Sequence, residues 1–127
     1  MLLKQILLVG LGGAVGSIFR YLVSHFTCSD KDWFNFPLAT FSVNMVGCLL
    51  IGILMGLCCR YSLFSGSMKL LLIIGFCGGF TTFSSFSLEN LQLYESGHIF
   101  TLLVYILSSV LLGILFVWLG IFLTKCA

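Results

Sequence analysis

Charge is what this sequence has least of. Only 8% of its 127 residues are Asp, Glu, Lys or Arg, six basic against four acidic, and the net charge is +2. So small an excess implies no nucleic-acid partner. There is no pair of carboxylates placed for acid–base work, no Ser-His-Asp set and no lysine inside an apolar run, so the chain lacks the usual equipment of an enzyme. Cys28, Cys48, Cys58, Cys59, Cys77 and Cys126 form no CxxC pair and share no zinc-site spacing with His25 or His98. Most lie in apolar runs and read as free thiols behaving as small hydrophobes. Proline occurs once, at Pro37, where a first-turn position costs no helical N–H.

Apolar residues fill the space that charge leaves. They make up 60% of the chain, and the mean hydropathy is +1.19, which places it in the membrane class. Residues 38–59, 70–88 and 99–124 carry no charge at all, over 22, 19 and 26 residues. Each is long enough to cross a hydrocarbon layer of roughly 30 Å at about 1.5 Å per residue. Residues 5–26 make a fourth run that holds Arg20 and His25. The N-terminal run continues to spanning length and lacks a small-residue cleavage site, so it reads as a retained helix. The expectation is an all-α membrane protein, residues 1–127 forming a single domain of four transmembrane helices.

The expected connections are short: Thr27–Pro37, with Asp30, Lys31 and Asp32 and the interfacial aromatics Trp33 and Phe34; Arg60–Lys69; and Gln92–His98. They leave no room for a domain outside the bilayer. Four spans put both ends on one side, with Lys4, Arg60, Lys69 and Lys125 against Lys31 and Arg20, a modest bias toward cytoplasmic termini. Gly12 and Gly16, and Gly52 and Gly56, are each four residues apart and make flat strips for close helix packing. A dinucleotide fingerprint fails because its third glycine falls at Val15.

Residues Gly75 to Asn90 break the apolar pattern. They hold three glycines, five hydroxyl side chains and four phenylalanines in sixteen residues, at a depth where anchoring calls for none of the hydroxyls. Irregular backbone in a bilayer survives only beside protein or a water-filled cavity, so this segment reads as the lining of a pathway or ion site, with the helix broken at its Gly-Gly pair. Phe83 and Phe86 share a helical face, as do Thr82 and Ser85. Ring edges are positive and could favour a small anion, while hydroxyl and amide donors replace its water. Plain core packing is the competing reading. Asn44, with Thr40 and Ser42, either makes a helix–helix hydrogen bond or lines the same passage. Tyr105 and Ser109 lie one turn apart, with Ser108 beside them and Gly113 a turn further. Arg20 either snorkels to an interface or supplies positive potential at an entrance. Glu89 faces an aqueous vestibule or caps a loop. Polar residues on several spans of so small a bundle call for an oligomer, most economically a dimer.

Taken together the motifs resemble those of the small fluoride channels of the Fluc/CrcB family across essentially the whole chain. They are Gly-Gly-x-x-Gly-x-x-x-Arg-Tyr at 12–21, Pro-x-x-Thr-x-x-x-Asn-x-x-Gly at 37–47 and Gly-Phe-Cys-Gly-Gly-Phe-Thr-Thr-Phe-Ser-Ser-Phe at 75–86. Ala39 departs from the glycine common there. The resemblance implies a passive, fluoride-selective channel of the inner membrane that lowers cytoplasmic fluoride. It further implies an antiparallel, dual-topology homodimer with two pores. Its fluoride pathway would use Asn44, Phe83, Phe86, Thr82, Ser85, Tyr105, Ser109, Thr40 and Arg20. A structural sodium ion would be bound by the backbone carbonyls of Gly78 and Thr81. Two other readings remain open: a small proton-coupled multidrug exporter, which needs a membrane-embedded carboxylate, and a purely structural membrane subunit.

Overall fold

A computed structural model describes residues 1–27, 35–61 and 66–125. The interfacial loop with Trp33 and Phe34, Lys31, Cys28 and Cys126 lie outside these. Among the described residues every regular element is helical: α1 (Leu2–Thr27), α2 (Leu38–Arg60), α3 (Ser67–Lys69), a π-helical stretch (Leu70–Cys77), α4 (Gly78–Phe80), α5 (Phe83–Glu95) and α6 (Ile99–Lys125). Four segments are long and apolar enough to cross a membrane: Leu2–Thr27, Leu38–Arg60, Ser67–Glu95 and Ile99–Thr124. The four spans expected from the gaps in charge are therefore present.

The third span, Ser67–Glu95, is built in pieces. Gly78 has helical dihedrals (φ −64°, ψ −37°), so the Gly-Gly pair does not itself break the helix. The interruption falls at the next two polar residues. Thr81 (φ −81°, ψ 159°) and Thr82 (φ −148°, ψ 121°) are extended, and α5 begins at Phe83. Thr82 caps it: its Oγ1 accepts the Ser85 N–H at 3.2 Å, supplying one of the partners a helix start lacks. The other end of α5 closes on Gly97, at φ 78°, where the His98 N–H reaches back to the Leu93 carbonyl at 2.9 Å and turns the chain into α6.

Packing explains the glycines. α1 lies along the first half of the third span, and α2 lies along α6. A Cβ built at Gly12 would collide with the backbone of Leu71, Phe76 and Gly75, and one at Gly16 with Phe76 and Phe80. From the opposite side, a Cβ at Gly79 would strike the Gly13 backbone. The second pair of helices repeats the device: Gly52 meets Val117 and Gly120 meets Leu49 and Ile53. Lipid tails are as apolar as leucine, so helices in a bilayer associate through such close backbone contact rather than hydrophobic burial.

These contacts make a graded prediction. Gly16→Val would push a branched side chain into immovable backbone and should destabilise the bundle by about 1–3 kcal/mol. Gly10→Ala, where nothing lies within 4 Å of an added Cβ, should leave the thermal unfolding midpoint in detergent unchanged. Equal midpoints for the two variants would refute the backbone-contact account.

Candidate functional site

The interruption of the third span leaves backbone groups that need partners, and side chains supply them. Asn44 on α2 meets Thr82 twice: its Nδ2 donates to the Thr82 carbonyl at 3.0 Å, and its Oδ1 accepts the Thr82 N–H at 2.9 Å. One amide thus clamps both polar ends of a single peptide residue. The second Nδ2 hydrogen is not used by that pair. Thr81 turns its hydroxyl back to the Cys77 carbonyl at 2.9 Å, which also takes the Thr81 N–H at 3.0 Å. Gly47, one turn beyond Asn44, leaves room for the Thr81 methyl.

α1 supports the break from the other side. Ser17 donates to the Gly79 carbonyl and Arg20 Nη1 to the Thr81 carbonyl, each at 3.4 Å. The Arg20 guanidinium thus reaches the span-three break. It lines a cavity of about 340 Å³ with Ser17, Ser24, Thr40, Thr82 and Ser85. Within that cavity Thr82 Oγ1 lies 3.1 Å from Ser85 Oγ and 3.3 Å from Ser84 Oγ.

The phenylalanines face a second, larger cavity of about 580 Å³, lined among others by Asn44, Thr82, Phe83, Phe86 and Ser109. Phe83 and Phe86 have ring centroids 5.8 Å apart at 38°, and Phe86 stands 5.0 Å from Tyr105. Phe83 is 78% exposed, so its ring edge is open on the flank of this chain. Thr82 lines both cavities.

Tyr105 is fully buried, and its hydroxyl donates to Glu89 Oε2 at 2.8 Å. Thr40 donates to Glu89 Oε1 at 2.6 Å. Glu89 was not expected among the site residues, yet both its oxygens are held by residues that were. Nothing local in the sequence signals this, because Thr40 is 49 positions away and Tyr105 is 16. Glu89 also lines a third cavity, of about 450 Å³, with Asn35, Gln92, Ser96 and His98. Here Asn35 and His98 Nε2 are 2.8 Å apart, and His98 Nδ1 lies 2.9 Å from Ser96. Arg20, Thr40, Asn44, Thr82, Ser85, Phe83, Phe86, Tyr105 and Ser109 are thus brought into one continuous polar and aromatic region around the break. Gly78 and Thr81 sit at the break itself.

The chain as a whole has relatives among known proteins. Residues 7–121 match the family described as CrcB-like protein, Camphor Resistance (CrcB). The chain belongs to the CrcB family. It is 48% identical over 124 residues to a protein of Azobacteroides pseudotrichonymphae named fluoride-specific ion channel FluC, covering 98% of each chain. Proteins with the same name from Methylobacillus flagellatus and Phocaeicola vulgatus are each 46% identical, over 95% and 97% of this chain and 94% and 100% of theirs. These relatives are named as ion channels, not as enzymes.

The Asn44 clamp yields a local prediction. Asn44→Leu would leave the Thr82 N–H and carbonyl without partners in an apolar setting, at a cost of about 1–3 kcal/mol for a stranded group. Hydrogen exchange at the Thr82 amide should accelerate more than exchange in α6. Unchanged protection at Thr82 would mean that something other than Asn44 satisfies the break.

Proposed function

We propose that this CrcB chain is a passive, fluoride-selective channel of the inner membrane, exporting fluoride and so lowering its cytoplasmic concentration. The observation that carries the reading is the shared cavity of Phe83, Phe86, Asn44 and Ser109, set against an interrupted helix and backed by close relatives named as fluoride channels. Fluoride is small and strongly hydrated, so a narrow passage must replace its water with donors. Asn44, Ser85, Ser109 and Thr82 are neutral donors, and the edges of Phe83 and Phe86 add positive potential without a full charge that would trap the ion. Thr40 and Tyr105 border the track with their hydroxyl protons committed to Glu89, and Arg20 raises anion concentration at one entrance. A cation would meet donors of the wrong polarity.

The working unit in this reading is an antiparallel, dual-topology homodimer with two pores. The open flank at Phe83 and the wide cavity beside it suit cover by a second copy.

A sodium ion at the dimer centre belongs to the same reading, and the break supplies suitable ligands. In an unbroken helix the Gly78 carbonyl would accept the Thr82 N–H, but that N–H goes to Asn44. The Thr81 carbonyl would likewise accept the Ser85 N–H, which goes to Thr82 Oγ1. Carbonyls freed in this way are sound ligands for a hard monovalent cation. Gly78 and Thr81 of each copy would hold it, and the ion would supply fixed positive charge that knits the two breaks together. Arg20 shares the Thr81 carbonyl and orients it.

Two measurements test these proposals. Liposomes containing the purified protein should release fluoride rapidly and chloride little, and Phe83→Ile should abolish most of the fluoride flux. Absence of fluoride release from folded, reconstituted protein would reject the channel. Replacing all sodium with a large organic cation during purification and assay should lower both flux and dimer content by about tenfold. Undiminished flux and dimer would remove sodium from the proposal while leaving the channel intact.

A further inference from the structure

The few charges of this chain are sorted between the two ends of the bundle. Gly12 lies against Leu71 and Phe76 and Gly16 against Phe76 and Phe80, so α1 and the third span run in the same direction. Gly52 against Val117 and Gly56 against Thr124 make α2 and α6 parallel as well. The two pairs run opposite ways, because Asn44 bonds Thr82 while Thr40, a turn earlier, bonds Glu89, further along the third span. The starts of α1 and the third span therefore share one end of the bundle with the ends of α2 and α6. Lys4, Lys69, Arg60 and Lys125 all stand at that end. None of the four acidic residues does: Asp30 and Asp32 follow α1, and Glu89 and Glu95 lie in α5. The rest of the chain holds two basic residues and all four acidic ones.

Neighbouring helix axes are about 8–10 Å apart, roughly a Debye length in physiological salt, so four like charges at one end repel one another. Lys4, Arg60 and Lys69 are exposed. Arg60 Nη1 donates to the Thr124 carbonyl at 3.5 Å, which takes one of five guanidinium N–H groups, and the guanidinium lies 5.4 Å from the centre of the Tyr61 ring. Tyr61 and Trp118 are exposed toward the same end, the residue types that settle at the headgroup level of a bilayer. The anion that a membrane presents at that depth is a headgroup phosphate. A zwitterionic headgroup carries its own cation, whereas an anionic one leaves its charge to the protein.

We infer that Lys4, Arg60, Lys69 and Lys125 form a docking surface for anionic phospholipid headgroups, and that the lipid stabilises the bundle by relieving their mutual repulsion. The surface is independent of what the chain conducts. In the antiparallel dimer proposed above, each leaflet meets one.

The test titrates the full-length protein in non-ionic detergent with phosphatidylglycerol, phosphatidylcholine or inorganic phosphate, and counts bound lipid by native mass spectrometry. Phosphatidylglycerol should bind at least about tenfold more tightly than phosphatidylcholine, and it alone should raise the thermal unfolding midpoint. K4Q, R60Q and K69Q should each weaken its binding at least about twofold, and K4Q/R60Q/K69Q/K125Q should bring it to the phosphatidylcholine level. K31Q, outside the surface, should leave it unchanged. Equal binding of the two lipids by the wild type, or a preference that survives the quadruple substitution, overturns the surface. Displacement of phosphatidylglycerol by an equal concentration of inorganic phosphate also overturns it, in favour of a site for free phosphate. A midpoint that phosphatidylglycerol leaves unmoved overturns the stabilisation. Should the quadruple variant fail to fold, the single variants decide, and unchanged affinity in all three rejects the surface.

Discussion

A peptide group inside a bilayer must be hydrogen-bonded by protein, and in this chain that constraint is most acute at Thr82. The third span stops being helical there, and the Asn44 amide takes up both the N–H and the carbonyl. Because one side chain meets both groups, the relative position of α2 and the third span is fixed in rotation as well as in depth. The placement of the polar groups follows from it. Thr82 is left free to cap α5, and α5 then carries Phe83, Phe86 and Glu89 at helical intervals, the last two against Tyr105 of α6. The polar region is a consequence of the repair of one broken helix.

Close packing holds that repair from the opposite side. With no hydrophobic drive between lipid-bathed helices, α1 can be held against the third span only by contact and polar bonds. Gly12, Gly16, Gly75 and Gly79 bring the two backbones together. That proximity is what lets Ser17 and Arg20 reach carbonyls at 79 and 81. Individual hydrogen bonds of this kind contribute about 0.6 kcal/mol on average, so none of them anchors the break alone. Their number and the rigidity of the glycine seam do so together. A larger residue at Gly16 would therefore loosen Arg20 as well as the packing.

The spans were legible because charge is nearly absent from them, and the glycine strips because four-residue spacing has one geometric meaning on a helix. The unusual chemistry of residues 75–90 was equally plain. Its local form was not. Gly-Gly reads as a break, yet Gly78 is helical and the pair serves contact with α1, while Thr81 and Thr82 leave the helix. The Thr82 hydroxyl explains the exchange: it replaces a backbone acceptor by capping Ser85, while the Thr81 hydroxyl adds a second bond to the Cys77 carbonyl. A threonine three residues ahead of a serine in the following turn was a capping signal that the glycines overshadowed. Glu89 was hidden for a different reason. Its partners Thr40 and Tyr105 come from other helices, and no spacing rule links residues across a bundle.

Glu89 also bears on how an anion could use this region. A bare carboxylate beside the passage would repel fluoride, but both of its oxygens already accept hydroxyl hydrogens, from Thr40 and Tyr105. Those bonds spread its charge and also turn the two hydroxyl protons away from a passing ion. On the fluoride reading, that leaves the spare Asn44 hydrogen, the serines and the ring edges as the groups met in passing. All are neutral, and the cationic side chain of Arg20 is shared with the Thr81 carbonyl. Such a lining replaces water without holding the ion tightly, and weak binding at several points is the condition for rapid passage. Strong selectivity in this architecture would come from narrowness and donor polarity rather than from affinity.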